Sequence, residues 1–400
     1  MNNHRLMTVC YTGGNVFSDA VVDTTILVLG QNHSNKINLI DARNFTNKKY
    51  ASVAVDYFKK YNNKISIGNS CIDTICDKIF NQKYETVGNN FRVFQGIVTG
   101  KNKAFIFDNE ADAISKGIDK ELLHPLTLGK DVCKWGIKNS KRVILYLDSG
   151  TELHNYPKIE KWLNNFKKDL SNRREAKNGT IPWYSLQWSR DKKNLDIKEK
   201  ILIQTTRNES LKTRIVATLD DTSIYSTQGC NIIIPQENSK YSLYFLIGLL
   251  NSKLVNYLFL KMFLNLDIKA DYIKSIKFPK IKDDKIALLS KTILIKNKEL
   301  QDLSDKFYTL LSGDFKDITI NSSLINWYDL DWGAFTDILK KQKINLTGTL
   351  KEDWYDRFNR LSQEAKSLKS IIDGTDKKID SLVYELYGLT KDEIAEIEKK

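Results

Sequence analysis

The spacing of the apolar residues changes at Pro279, and this change constrains the fold more than any other feature of the sequence. Between Phe91 and about Ile281, short runs of β-branched and aromatic residues alternate with stretches of helical spacing. After Pro279 the apolar residues recur at helical spacing throughout. The sequence therefore predicts an α+β fold, in which a mixed α/β domain is followed by a helical region.

Local patterns predict the elements of the mixed region. One helix is expected from Tyr156 to Leu170, because Ile159, Leu163, Phe166 and Leu170 lie on one helical face. The predicted strands are Phe91–Val98, Ala104–Phe107, Val143–Leu147, Lys200–Thr205, Ile215–Thr218 and Cys230–Ile234.

The N-terminal residues predict a small sheet. Strands are expected at Val9–Val16, Val21–Leu29 and Lys36–Ile40, with a hairpin turn at Gly13-Gly14. A sheet of this size is marginal unless another layer buries one face, so it is expected to be the end of something larger. Connecting helices are predicted between residues 50 and 85 from the spacing of Val53, Tyr57, Tyr61, Ile72, Ile75 and Ile79.

Length and composition indicate a globular protein of two or three domains. The 400 residues are 41% hydrophobic, which is enough to build cores. The five cysteines are scattered and the four histidines have no ligand-like spacing, so a metal site is not expected and a reducing cytoplasm is the expected location. The apolar run from Tyr241 to Leu264 is interrupted by polar residues and predicts a buried helix, so no membrane partner is expected.

Positive charge is concentrated in the middle of the chain. Residues 161–214 contain 14 Lys and Arg against 6 Asp and Glu, which gives +8 of the total net charge of +13. Five of the 11 arginines lie in this window, around the segment Trp183-Tyr184-Ser185-Leu186-Gln187-Trp188. Clustered arginine beside aromatic residues is typical of a nucleic-acid contact surface, because guanidinium groups bind phosphates and guanine edges in a bidentate manner. The alternatives are a solvated basic face and, for Trp183 and Trp188, core packing.

The sequence lacks the motifs of several enzyme classes. Gly96-Ile97-Val98-Thr99-Gly100-Lys101 has one residue too few between its glycines for a phosphate-binding loop, and Asn102 follows where Ser or Thr is needed. The five prolines are never adjacent, so the Pro-Pro turn of amino-methyltransferases that act on DNA bases is absent. Glu364-Ala365-Lys366 has the local form of a nuclease motif but lies in an amphipathic helical pattern. No catalytic, cofactor-binding or metal-binding residue is therefore predicted.

The order of several weak motifs resembles one family. They are Gly96–Phe105, Pro125 with Gly129–Val132 and Trp135, Tyr156-Pro157 with Arg173, Trp183–Trp188, Lys200-Ile201, Asn251–Leu254 and Phe278-Pro279. This succession resembles the TaqI-like target-recognition domain, the C-terminal specificity half of adenine-specific DNA methyltransferases and type IIG restriction–modification enzymes. The segment 378–390 is similar to the terminus of the fused enzymes, and residues 16–24 to the last strands of their methyltransferase domain.

The resemblance implies four regions. We expect terminal strands of a truncated methyltransferase domain at 1–45, connecting helices at 46–88, a target-recognition domain at 89–282 and a C-terminal helical region at 283–400. The chain would recognise a double-stranded DNA sequence and would not methylate it, because the catalytic motifs lie N-terminal in the family. S-adenosylmethionine would be the cofactor of that missing core, and a methyltransferase or nuclease polypeptide is a possible partner.

The resemblance and the charge pattern together identify candidate DNA contacts. The predicted phosphate contacts are Lys101, Lys103, Lys130, Arg173, Arg174 and Lys177. The predicted base contacts are Asn102, Gln187, Arg190, Arg207, Lys212 and Arg214. The alternative is that Arg173 caps the carbonyls of its own helix and that Arg214 lies in a surface strand.

Two other functions stay open at this point. One is a subunit that completes an adenine methyltransferase whose catalytic half is a separate polypeptide, for which the N-terminal strands are the suggestive feature. Alternatively, the helices after residue 282 form a protein-docking surface and DNA binding is incidental.

Overall fold

The computed structural model describes two compact units. One consists of residues 1–283 and 383–400, and the other of residues 284–382. The described residues are 5–13, 16–17, 24–31, 35–46, 48–54, 74–80, 82–138, 141–207, 211, 213–263, 267–280 and 284–399.

The N-terminal sheet confirms the predicted hairpin. Its strands are β1 (Arg5–Gly13), β2 (Thr24–Gly30), β3 (Lys36–Asp41) and β4 (Lys49–Ala54), in the order β2-β1-β3-β4. β1 pairs antiparallel with β2 and parallel with β3. Gly13 has a φ of 71°, a conformation that glycine adopts without steric cost.

The prediction of a helix around Val53 is wrong. Val53 lies in β4, where its backbone pairs with Ile37 of β3, so a non-local partner overrides the helical spacing. Tyr57, Tyr61 and Ile72 lie outside the described residues. The later part of the predicted helical region is confirmed by α1 (Thr74–Phe80).

The mixed region contains two principal sheets. One has the order β13-β12-β15-β6 and the other the order β14-β8-β11-β7. The strands of the first are β6 (Phe91–Gln95), β12 (Lys200–Gln204), β13 (Ala217–Asp220) and β15 (Cys230–Pro235). Those of the second are β7 (Ile106–Phe107), β8 (Leu123–Thr127), β11 (Val143–Leu145) and β14 (Tyr225–Ser226). Two short pairs are β5 (Glu85–Thr86) with β16 (Lys277–Phe278) and β9 (Val132–Cys133) with β10 (Gly136–Ile137).

Short helices connect these strands. Their bounds are α2 (Val87–Asn90), α3 (Asn102–Phe105), α4 (Glu110–Ser115), α5 (Pro157–Asn164), α6 (Lys167–Ser171), α7 (Arg174–Lys177) and α8 (Lys192–Leu195). The single helix predicted from Tyr156 to Leu170 is therefore divided into α5 and α6. The break follows Asn164-Asn165, where the Asn165 side-chain amide donates to the Trp162 carbonyl and thus competes with the helical pattern. Ala104, predicted in a strand, lies in α3.

A pair of apolar helices forms the core beside the first sheet. They are α9 (Leu243–Asn251) and α10 (Lys253–Met262), followed by α11 (Ala270–Lys274). The Asn251 side chain bonds both backbone groups of Ala217 in β13, and Asn256 accepts from the amide of Ile215, which precedes that strand. Among the described helices no single one is long and apolar enough to span a membrane, and α9 and α10, which reach that length only together, are bent by 61°.

The second unit is helical, as the sequence predicts after Pro279. Its helices are α12 (Lys285–Asp314), α13 (Trp332–Lys341) and most of α14 (Gly348–Leu386). Phe307 stacks on Trp327 with ring centroids 3.8 Å apart, and Trp354 and Phe358 complete an aromatic core. Such ring contacts add to the free energy gained from burial.

The C-terminal segment packs within the first unit. Thr390 and Glu393 form the predicted capping box of α15 (Lys391–Glu398), and Gly388 has a φ of 60°. Lys78 of α1 donates to the Gly388 carbonyl at 2.8 Å and pairs with Glu393 at 3.0 Å. The buried Tyr387 hydroxyl donates to the Lys277 carbonyl at 2.6 Å.

The N-terminal sheet has an open apolar face, and its opposite face is buried at β1 and β3 but not at β2, where Leu27 is 53% exposed. Residues paired across neighbouring strands lie on the same face of a sheet. The pairs Ile26–Cys10, Cys10–Ile40 and Ile40–Tyr50 therefore place these four side chains on the open face. Ile26 is 56% exposed and Tyr50 is 65% exposed, whereas Val9 on the opposite face is 0% exposed. Exposed apolar faces of this kind mark association surfaces.

Replacing Ile26 and Val28 by threonine should leave the free energy of unfolding within about 0.5 kcal/mol per site, because both side chains are exposed and threonine keeps the β-propensity. Binding of the dye ANS should fall, because the double variant has less exposed apolar surface. Val9→Thr is the matched buried control and should cost roughly 1–3 kcal/mol. Equal destabilisation by all three substitutions would contradict the open face.

Candidate nucleic-acid interface

The strand order brings two predicted DNA-contacting segments to one edge of the first sheet. β6 and β12 are both antiparallel to β15, which lies between them. They therefore run parallel to each other, and their carboxyl ends share an edge. The segment 96–103 leaves β6 there, and residues 205–207 leave β12 there.

The turn before β15 joins these segments. The Gln228 carbonyl accepts from the Thr205 hydroxyl at 3.1 Å and from the Gln95 amide at 3.0 Å. Gly96 packs so closely against this turn that a Cβ would lie 2.4 Å from the Thr227 carbonyl oxygen. Only glycine fits such a contact. The turn was not among the predicted site residues, although its position directly before a predicted strand would have placed it at this edge.

The aromatic segment 183–188 docks on the same edge. Trp188 and Val98 exchange backbone hydrogen bonds of 2.9 and 3.1 Å. Gly100 has a φ of 74°, and a Cβ there would lie 2.9 Å from the Gln187 Oε1. The loop after β6 and the aromatic segment are thus in direct contact.

Arg173 is a structural residue, which corrects its assignment as a phosphate contact. Its side chain is 9% exposed, and its Nε and terminal nitrogens donate to the carbonyls of Leu170 at 2.8 Å, Thr99 at 3.2 Å and Trp183 at 2.7 Å. Burial lowers the pKa of this guanidinium. The alternative that Arg173 caps its own helix is confirmed by the Leu170 bond.

Arg190 is half-buried and anchored to the loop after β6. The Arg190 Nε donates to the Gly96 carbonyl at 2.9 Å, and the Arg190 carbonyl accepts from the Tyr146 hydroxyl at 3.0 Å. Its guanidinium carbon lies 5.2 Å from the centroid of the Trp188 ring. Burial lowers the pKa of Arg190.

The segment after β12 contains one partly accessible arginine and one buried arginine. Arg207 donates to the Thr213 carbonyl and to the Gln204 side chain, both at 2.8 Å. Arg214 is 1% exposed and donates to the Arg207 carbonyl at 2.6 Å. The assignment of Arg214 as a base contact is therefore corrected to a loop-supporting role, and the surface-strand alternative is wrong as well. Lys212 lies outside the described residues.

The remaining candidates present polar atoms at the surface. Lys101 pairs with Asp169 at 2.5 Å, and the half-buried Gln187 donates to Glu175 at 2.9 Å. Gly129 packs against Gly229 of the turn, which carries Lys130 to the same edge. The exposed candidates are Asn102, Lys103, Lys130, Arg174 and Lys177, of which Asn102 accepts from the Thr99 hydroxyl at 2.6 Å.

The two tryptophans of the aromatic segment have different environments. Trp183 is half-buried against the core, with the Lys167 ammonium 4.9 Å from its ring, in agreement with the core-packing alternative. Trp188 is 47% exposed, so core packing is wrong for it. Asp169 and Glu175, the acidic partners of the candidate residues, were not predicted.

Cys133 and Cys230 of the mixed region are free thiols. Burial raises the pKa of Cys133, and that of Cys230 to about 12, so neither is a reactive thiolate near neutral pH. Within the described part of the chain no three His, Cys, Asp or Glu residues group as metal ligands.

Arg173 and Arg174 form a matched pair with opposite roles. Arg173→Ala should lower the free energy of unfolding by about 3 kcal/mol or more, because buried carbonyls lose their donor. Arg174→Ala should change it by about 0.5 kcal/mol or less, because that side chain is exposed. Urea unfolding of both variants measures the difference, and similar values for the two would contradict the structural role of Arg173.

Comparison with known proteins identifies two segments. Residues 124–282 match the family model of the TaqI-like C-terminal specificity domain, and residues 279–383 match that of a domain of unknown function (DUF8810). No curated protein matches the chain.

Two similar solved structures are restriction–modification proteins. The type IIL restriction-modification enzyme MmeI, in complex with DNA, is 13% identical with a TM-score of 0.48, and the match covers 99% of this chain and 45% of that one. The type IIG restriction endonuclease BpuSI is 12% identical with a TM-score of 0.35, at coverages of 96% and 44%. This chain thus spans less than half the length of either enzyme. Residues 124–282 thus match the family that the sequence resemblance predicts, the TaqI-like C-terminal specificity domain.

Proposed function

We propose that this chain recognises a sequence in double-stranded DNA as the specificity part of a restriction–modification system. The observation that carries the proposal is the edge of the first sheet, where segments within and beside the TaqI-like domain present exposed cations and amides. The edge is held by backbone contacts and buried arginines, so its polar side chains are displayed on a fixed frame.

Phosphate binding would fix the register of the duplex. Lys103, Lys130, Arg174 and Lys177 are exposed. Arg174 and Lys177 belong to the +8 window of the sequence, and Lys103 and Lys130 lie outside it. Lys101 is partly neutralised by Asp169, so it would contribute less unless DNA displaces that carboxylate. Cations of this kind supply most of the affinity for DNA and none of the sequence discrimination.

Base reading would fall to the amide and guanidinium groups of the same edge. Asn102 is exposed, and Asn or Gln side chains can bond adenine in a bidentate manner in the major groove. Gln187, Arg190 and Arg207 are half-buried and are already held by protein acceptors. Their remaining polar atoms would meet base edges with little loss of side-chain entropy.

Methyl transfer would belong to another domain or polypeptide. The sequence contains no adjacent prolines, so the turn that holds a flipped base is not formed by these residues. Binding of S-adenosylmethionine is likewise proposed for that other part.

A second candidate is a subunit that completes a split adenine methyltransferase. It is favoured by the open apolar face around Ile26, Val28 and Tyr50, which a partner polypeptide would cover. The Ile26→Thr, Val28→Thr variant should then lose association with the polypeptide that carries the methyltransferase motifs, while retaining DNA binding.

Removing Lys103, Arg174 and Lys177 together by alanine substitution should weaken binding to any duplex. The slope of log binding constant against log salt concentration should become shallower by roughly three units. Each phosphate contact that is lost means that about one counterion fewer is released when DNA binds. Fluorescence anisotropy over a salt series measures both effects.

The control is a variant with the same change in net charge in the helical unit. Lys298, Lys306 and Lys316 are exposed there, and their replacement by alanine should leave the salt slope unchanged. Equal effects of the two triple variants would show that binding depends on overall charge and not on the edge of the sheet.

Asn102→Ala tests whether Asn102 contacts base edges, which discriminate between sequences, or phosphates, which only position the DNA. On the preferred sequence, selected from a randomised pool, it should cost about 1–3 kcal/mol of binding free energy, and it should cost little on random DNA. Arg174→Ala should weaken binding to both duplexes by similar amounts. A uniform loss for Asn102→Ala would assign this residue to the phosphates.

A further inference from the structure

Trp188 is the exposed tryptophan of this protein. All seven tryptophans lie in the described ranges, and the other six are buried or half-buried, whereas Trp188 is 47% exposed. An exposed aromatic ring offers a flat face on which a nucleobase can stack.

The ring is held in a fixed position. The two backbone hydrogen bonds with Val98 fix the main chain of Trp188 on the loop after β6. The guanidinium of Arg190 lies over the ring at 5.2 Å and is itself fixed by the Gly96 carbonyl. A ligand that stacks on Trp188 would therefore find the ring already ordered.

The backbone of Arg190 is strained in this arrangement. Its φ is 66°, in the left-handed region that favours glycine, and a residue with a side chain pays a conformational cost there. The conformation places the guanidinium at once over Trp188 and against Gly96. Strain of this kind concentrates at functional sites.

An open cleft adjoins the ring. It has a volume of about 420 Å³ and is lined by Ser149, Ile181, Leu186, Gln187, Trp188, Ser189 and Arg190. The lining combines apolar side chains with an amide, hydroxyls and a guanidinium, which suits a flat heterocycle with polar edges.

We propose that Trp188 stacks on a nucleobase that has left the helical stack of bound DNA, with Arg190 holding the ring in place. The inference rests on the proposed DNA-binding function and adds a contact to an unstacked base. Aromatic stacking of this type tolerates any base and adds affinity in proportion to the ring surface offered.

The experiment compares a fluorescently labelled random-sequence duplex with the same duplex containing one mismatched base pair. The wild-type chain should bind the mismatched duplex more tightly, because a mispaired base leaves the stack at lower cost. Trp188→Ala should lose that preference, with about 5- to 100-fold weaker binding to the mismatched duplex. Trp188→Phe, which keeps an aromatic ring, should retain part of it.

Tyr355→Ala is the matched control, because Tyr355 is 48% exposed and lies in the helical unit. The Tyr355→Ala variant should prefer the mismatched duplex to the same extent as the wild type. Retention of the preference by Trp188→Ala, or an equal loss on both duplexes, would overturn the stacking role and leave the proposed DNA recognition intact. Absence of wild-type binding to either duplex would overturn the proposed function itself.

Discussion

The buried guanidinium of Arg173 holds together the segments on which the candidate interface depends. Its donors meet the end of α6, the loop after β6 and the aromatic segment 183–188. Arginine suits this position because its planar group offers several donors at fixed angles, whereas a lysine ammonium is a flexible point donor. Without it, the carbonyls of Thr99 and Trp183 would lose this side-chain donor, whereas the Leu170 carbonyl would keep the backbone amide of residue 173 at 3.4 Å.

At this edge of the sheet, arginine residues serve both as buried structural supports and as candidate DNA contacts. Arg173 and Arg214 are buried and bond backbone carbonyls, while the neighbouring Arg174 is exposed. Arg190 and Arg207 are intermediate, with some donors committed to the protein. The arginine cluster of the sequence therefore combines structural residues and candidate DNA contacts.

Much of the fold could be predicted from local pattern. The runs Ile201–Ile203 and Ile232–Ile234 are apolar and rich in isoleucine, and both lie in buried strands. Ala104 was assigned to a strand because a short apolar run is ambiguous between strand and helix. The strand at Lys49–Ala54 was missed because its stability comes from pairing with β3, which spacing within the segment cannot reveal.

The candidate site was predictable as a region and less so residue by residue. Charge clustering indicated the right neighbourhood, because phosphates demand many cations in one place. Sequence does not reveal which of two adjacent arginines points inward, since that depends on carbonyls contributed by distant segments, such as Thr99 for Arg173. The same holds for Trp183 and Trp188, whose exposures differ because Trp188 pairs with Val98 at the rim of the sheet.

Lysine acetylation footprinting with and without duplex DNA, read by mass spectrometry, tests the location of the interface most directly. If DNA binds at the edge of the first sheet, Lys103, Lys130 and Lys177 should become protected, while Lys298, Lys306 and Lys316 in the helical unit should react as they do in free protein. Protection of the helical lysines with no change at Lys103, Lys130 and Lys177 would contradict this placement of the DNA.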